Sequence, residues 1–162
     1  MGISIRSKNQ KLSMKSIFNK AENSEIIERV NKLSSETQPV WGKMDVSQML
    51  AHIHEPLLVM TGDKKLSFTL MGILMGGYLK KKFLRERGFG KNLPTHSEFK
   101  MVDKKQFKAE QSKVIALLNL LHEKGPSVVT KNKHPFFGKM TQDEWSDMMY
   151  IHMNHHLNQF GV

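Results

Sequence analysis

The chain has 162 residues, a formal net charge of +10, 39% hydrophobic and 25% charged residues, and no cysteine. That length and balance fit one domain with a real core and exclude a disordered chain. The lack of cysteine excludes disulfides, thiolate metal sites and a cysteine nucleophile. The lysines are scattered through turns and polar helix faces, with no arginine-rich helix, so the positive charge reads as a solvated surface and nucleic acid is not the expected partner.

Residues 1–15 read as a flexible basic tail and residues 16–162 as a single helical domain. The tail lacks the continuous apolar core of a signal peptide, and Arg6 stands where a myristoylation pattern needs Ser or Thr. A cytoplasmic protein with no membrane partner is expected. A first helix is predicted from about Ser24, with Glu25 and Glu28 in its first turn and Ile26, Val30 and Leu33 as its apolar stripe. Ser34–Gly42 reads as a loop.

Asp45-Val46-Ser47-Gln48 is a capping box, and Met44 with Met49 forms a hydrophobic staple across it. The second helix runs to about Met60 with Val46, Met49, Leu50, Ile53 and Leu57 facing inward, and Pro56 predicts a bend or early end. Leu66–Arg87 predicts a further helical segment, read foremost as a core piece and otherwise as a lid or a dimer surface, in which Gly72-x-x-x-Gly76 lets another backbone approach closely. Its apolar run, Leu66–Leu79, is shorter than the ~20 residues that span a bilayer. Gly88–Met101 is a loop long enough to suggest that it borders a site.

Asp103-Lys104-Lys105-Gln106, with Val102 and Phe107 as staple, predicts a second capping box. The helix it opens turns Phe107, Val114, Leu117, Leu118 and Leu121 inward and stops at Gly125-Pro126. Ser127–Thr130 is the longest strand-like run. The last helix, from Thr141 to Phe160, places Trp145, Met148, Met149, His152, His156 and Gln159 on one arc. Two imidazoles on an apolar face need partners, because an unpaired buried polar group is costly. Hydrogen-bonded core histidines and a metal site both meet that need.

An internal repeat supplies a third histidine. Trp41-Gly42-Lys43-Met44-Asp45 precedes the second helix, Phe137-Gly138-Lys139-Met140-Thr141 precedes the last, and both continue into a capping box. Counted from the caps, His52 lies at plus seven and His152 and His156 at plus eleven and plus fifteen. Steps of four keep all three on equivalent inward faces, whereas His54 points elsewhere and His155 sits at the edge of the arc. Three imidazoles bind a divalent ion and leave a position open, the pattern of a catalytic rather than a structural site. Zinc or nickel suits this set ahead of iron or copper. Met49, Trp145 and Met148 are read as its apolar wall, and His155 foremost as a partly exposed polar residue, with a neighbouring proton-handling group as the alternative; no general base is evident, and the catalytic residues are unassigned.

Trp41–His52, Asn92–Thr95 (NLPT) and His134–Val162 together resemble the DinB-like metalloenzyme superfamily, in particular a bacterial subfamily of unknown function. The resemblance implies an all-α fold: a four-helix bundle, here with an extra helical segment and long loop between the second and third main helices. It implies a divalent metal on His52, His152 and His156, thiol-dependent transfer as one activity of the superfamily, and a homodimer. A metal-dependent thiol S-transferase or hydrolase acting on a small molecule is therefore expected. The alternative is a non-catalytic metal-binding or interaction module of the same fold.

Overall fold

In the computed structural model, which describes residues 15–162, the chain folds into five α-helices with no strand among the described residues. They are α1 (Lys20–Asn31), α2 (Val46–Thr61), α3 (Leu70–Glu86), α4 (Phe107–Lys124) and α5 (Gln142–Gln159), with 3-10 turns at Ser97–Phe99 and Gly125–Val128. The strand-like run at Ser127–Thr130 thus enters one of these turns instead. Neighbouring helices pack pairwise, α1 on α4, α4 on α2, α2 on α5 and α5 on α1, while α3 lies against α5. The core fills the ring so formed: Ile26 and Val30, Met49, Ile53 and Leu57, Val114 and Leu118, and Trp145, Met148 and Met153 are all buried.

Local chemistry explains where the helices begin. The α1 helix starts at Lys20, a turn before the expected Ser24, because the Asn19 side chain accepts from the Ala21 and Glu22 N–H groups. Lys15, the last residue of the expected tail, is bonded to the folded body. Lys15 donates to Glu25 at 2.7 Å and to the Tyr150 hydroxyl at 2.8 Å, and Ile17 is fully buried. The rest of the predicted tail, residues 1–14, lies outside the described residues. Both halves of the capping box are formed at Asp45–Gln48 and again at Thr141–Glu144.

Pro56 does not end α2 early. It leaves the His52 carbonyl without its helical donor, but Leu57, Val59 and Met60 beyond it are buried, and that packing carries the helix on to Thr61. The box predicted at Asp103–Gln106 does not form. The α4 helix starts at Phe107 with Gln106 as a cap that makes no side-chain bond, and Val102, the intended staple, is 81% exposed. With no apolar surface over Val102, the staple has nothing to bury and the box has no helix to close.

The α3 segment departs most from expectation. Gly72 and Gly76 admit a backbone as predicted: a Cβ at Gly76 would strike the Phe136 carbonyl, so only glycine lets the 135–138 turn lie this close. The segment is not a core piece, however. Leu70, Met71, Ile73, Leu74, Met75 and Tyr78 all face outward. No helix among the described residues is long and apolar enough to cross a membrane.

Candidate metal centre

The inward faces of α2 and α5 bring His52, His152 and His156 together, their potential ligand atoms all within 4.8 Å of one another. The rings meet closely, with centroids 5.1 Å apart for His52 and His152, 4.7 Å for His52 and His156, and 4.7 Å for His152 and His156. The Nε2 atoms of His52 and His152 are 3.2 Å apart. Two nitrogens on one ion at ~2.0–2.1 Å stand ~2.9 Å apart at a right angle and ~3.4 Å apart at the tetrahedral angle, so the observed spacing suits a shared cation.

Hydrogen bonds fix which nitrogen each ring presents. His52 Nδ1 donates to the Phe99 carbonyl at 2.9 Å, and since a carbonyl only accepts, Nδ1 carries the proton and Nε2 the lone pair. Gln159 Nε2 donates to the Trp41 carbonyl at 2.7 Å, which turns its Oε1 toward His156 Nδ1 at 2.8 Å. His156 is thereby also left with its lone pair on Nε2. His152 Nδ1 is buried without a partner. Without an ion, one proton on His152 Nε2 can answer the His52 lone pair but not that of His156 as well. A cation can take a lone pair from each ring, so the donor set fits a metal.

Electrostatics point the same way. Burial holds all three imidazoles below their usual range: His52 is lowered, with its bond to Phe99 opposing; His152 is lowered well below, with His156 and His52 adding; His156 is pushed down to about 3, with His52 adding. At neutral pH the cluster is uncharged and ready to coordinate without first releasing protons.

The two repeated entrances have related geometry. Gly42 and Gly138 both take a left-handed backbone, at φ +89° and +72°. At Gly42 the requirement is doubled, because a Cβ there would collide with Gln159 Nε2, the group that orients His156.

The remaining predicted residues take other places. His155 is half-buried, packing edge-on against His156 at 5.1 Å, Trp41 at 5.8 Å and Phe89 at 6.1 Å. Met49 and Met148 are buried within about a turn of His52 and His152. Trp145 lies two turns (~10 Å) before His152 and packs on His134 at 4.9 Å. His54 is near Glu110 and Lys113 of α4, and Glu55 is paired with Lys64 at 2.5 Å. His134 shapes the turn after it, its Nδ1 accepting from the Phe136 and Phe137 N–H groups at 3.0 Å. His96 caps the Ser97–Phe99 turn, and His122 binds the Phe18 carbonyl at 3.2 Å.

Three contributors were not named from sequence. The Phe99 carbonyl and the Phe89 ring, 5.8 Å from His152, both come from the Gly88–Met101 loop, so this loop does border the cluster. Trp41 adds both its carbonyl and its ring. Loop length alone was the signal for Phe89 and Phe99, and the shared entrance motif was the signal for Trp41.

A model of the family DUF1569, described as a protein of unknown function, matches residues 13–161. The chain belongs to this family. No curated protein and no solved structure matches it. The family match spans all three clustered histidines together with Trp41, Phe89, Phe99 and Gln159.

Proposed function

We propose that this member of DUF1569 is a divalent-metal-dependent enzyme of DinB-like architecture, with His52, His152 and His156 as ligands and a thiol S-transferase or hydrolase activity. The observation that carries the reading is the convergence of three neutral imidazoles, two with tautomers set by dedicated acceptors, on one point between α2 and α5. Support for the architecture comes from the ring of α1, α2, α4 and α5, which is what a four-helix bundle with α3 as an inserted segment requires.

Bound to the three histidines, zinc or nickel, or else iron or copper, supplies Lewis acidity, the chemistry that activates a thiol or water as a nucleophile. The chain's own groups do the rest. Phe99 and Gln159 hold the rings in one orientation. Phe89 and Trp41 flank the cluster with apolar surface, which limits water around a small substrate. Half-buried His155, also held below its usual range by burial, is placed to accept a proton at the edge of the site.

Low-molecular-weight thiols with a chromogenic electrophile, and separately a chromogenic ester, test the activity on metal-loaded protein. Metal-dependent turnover that His152→Ala abolishes is expected. A protein that holds the metal tightly and turns over neither substrate favours the non-catalytic module, which the same cluster would also serve.

A further inference from the structure

In sequence the apolar run of α3 is merely too short to span a bilayer; in the fold it acquires a different meaning. Leu70, Ile73 and Leu74 are 73%, 68% and 74% exposed, Met71, Met75 and Tyr78 stand beside them, and Phe68 precedes them. A patch of this kind marks an interaction site. It adjoins a groove of about 270 Å³ lined by Phe68, Ile73, Pro135, Phe136 and Phe137. No charged residue interrupts Leu66–Leu79, but lysines bracket it: Lys64 and Lys65 before, and Lys80, Lys81 and Lys82 after. Asp63–Arg87 holds seven Lys and Arg against two acids, a net +5 that is half of the chain's +10.

Helical spacing puts Leu74, Tyr78, Lys81 and Arg85 in succession along one outward line, so a single face runs from apolar to basic. Lys80 turns back to the body, bonding Glu144 and the Lys139 carbonyl, and so does Lys64, which is paired with Glu55. We propose that α3 is a membrane-docking element that seats Leu70–Tyr78 in the interface of an anionic bilayer, while Lys65, Lys81, Lys82 and Arg85 meet lipid headgroups. Apolar side chains beside a cationic cluster are what such a surface selects. A second copy of the chain is the competing occupant. Laid face to face in either direction, however, two α3 helices bring a basic end against a basic end, with only Asp63 and Glu86 to answer seven Lys and Arg.

The proposal is independent of the metal. Co-sedimentation of the full chain with phosphatidylcholine vesicles, with and without about one third phosphatidylglycerol, tests it. Binding to the anionic vesicles is expected at least ~10-fold tighter than to neutral ones and weakened by salt. The exposed variant Leu70→Ser/Ile73→Ser/Leu74→Ser, with helicity checked by circular dichroism, should lose at least ~10-fold in binding. Lys65→Glu/Lys81→Glu, likewise exposed, should lose the preference for anionic lipid. Absence of vesicle binding overturns the proposal, as does binding that survives the triple variant, which would place it elsewhere on the basic chain. A wild-type dimer that the triple variant converts to monomer also overturns it, in favour of a second copy on this face.

Discussion

Individual atoms decide what the histidine cluster can hold. Gln159 stands between two elements, accepting a hydrogen bond from His156 Nδ1–H on one side and donating one to the Trp41 carbonyl on the other. Outer partners of metal-binding histidines typically affect affinity 10–100-fold. Gln159→Leu should therefore keep the helical content and weaken zinc binding by about one order of magnitude in a chelator competition titration, while Gln159→Glu, which keeps an acceptor, should bind better than Gln159→Leu.

His134 makes a separate prediction at the same scale, because it is buried and lies outside the cluster. Burial pushes it down to about 3, with His96 adding. Its folded pKa is below the unfolded value of ~6.5, so acid favours the unfolded chain. The stability this confers is complete above ~6.5 and is lost progressively as pH falls toward about 3. His134→Asn should lower the melting temperature at pH 8, where the wild-type turn is intact, yet give a shallower fall between pH 6.5 and 4.5 than wild type. Parallel curves for the two proteins would remove His134 as a source of acid sensitivity.

At the scale of elements, glycine contacts show why α3 sits where it does. Gly76 lies against the Phe136 carbonyl, whereas at Gly77, the next residue, an added methyl group would meet nothing within 4 Å. Gly76→Ala should cost ~1–3 kcal/mol in urea denaturation through overpacking. Gly77→Ala should be neutral or stabilising by up to ~1 kcal/mol, since a helix-interior glycine is replaced without a clash. Equal effects would mean that α3 does not rest on the 135–138 turn.

The same scale shows what sequence can and cannot disclose. The starts of α2 and α5 were legible because Asp45 with Gln48 and Thr141 with Glu144 satisfy orphan backbone donors locally, using residues three apart. Asp103–Gln106 has the same letters and fails, since a box forms only where the flanking apolar residue finds a core, and Val102 finds none. The outward face of α3 was illegible for the converse reason: an apolar run looks the same whether the fold buries it or leaves it exposed. In the cluster, Gln159 was visible as a polar residue on an apolar arc. The Phe99 carbonyl was not, because a backbone acceptor 47 positions along the chain carries no side-chain signature.

For the whole molecule, the repeat ties fold to site. Two similar entrances start α2 and α5 with matching caps, and the offsets from those caps bring one histidine of α2 to two of α5 where the two helices face each other. His54, two residues from His52, is directed toward α4 instead. The central claim is that this convergence exists to bind one divalent ion, and metal analysis of purified and zinc- or nickel-reloaded protein tests it most directly. One ion per chain is predicted for wild type and for His54→Ala, with loss of the ion in each of His52→Ala, His152→Ala and His156→Ala. Wild-type protein that takes up no metal on reloading would contradict the claim, as would loss of the ion in His54→Ala with retention in His52→Ala.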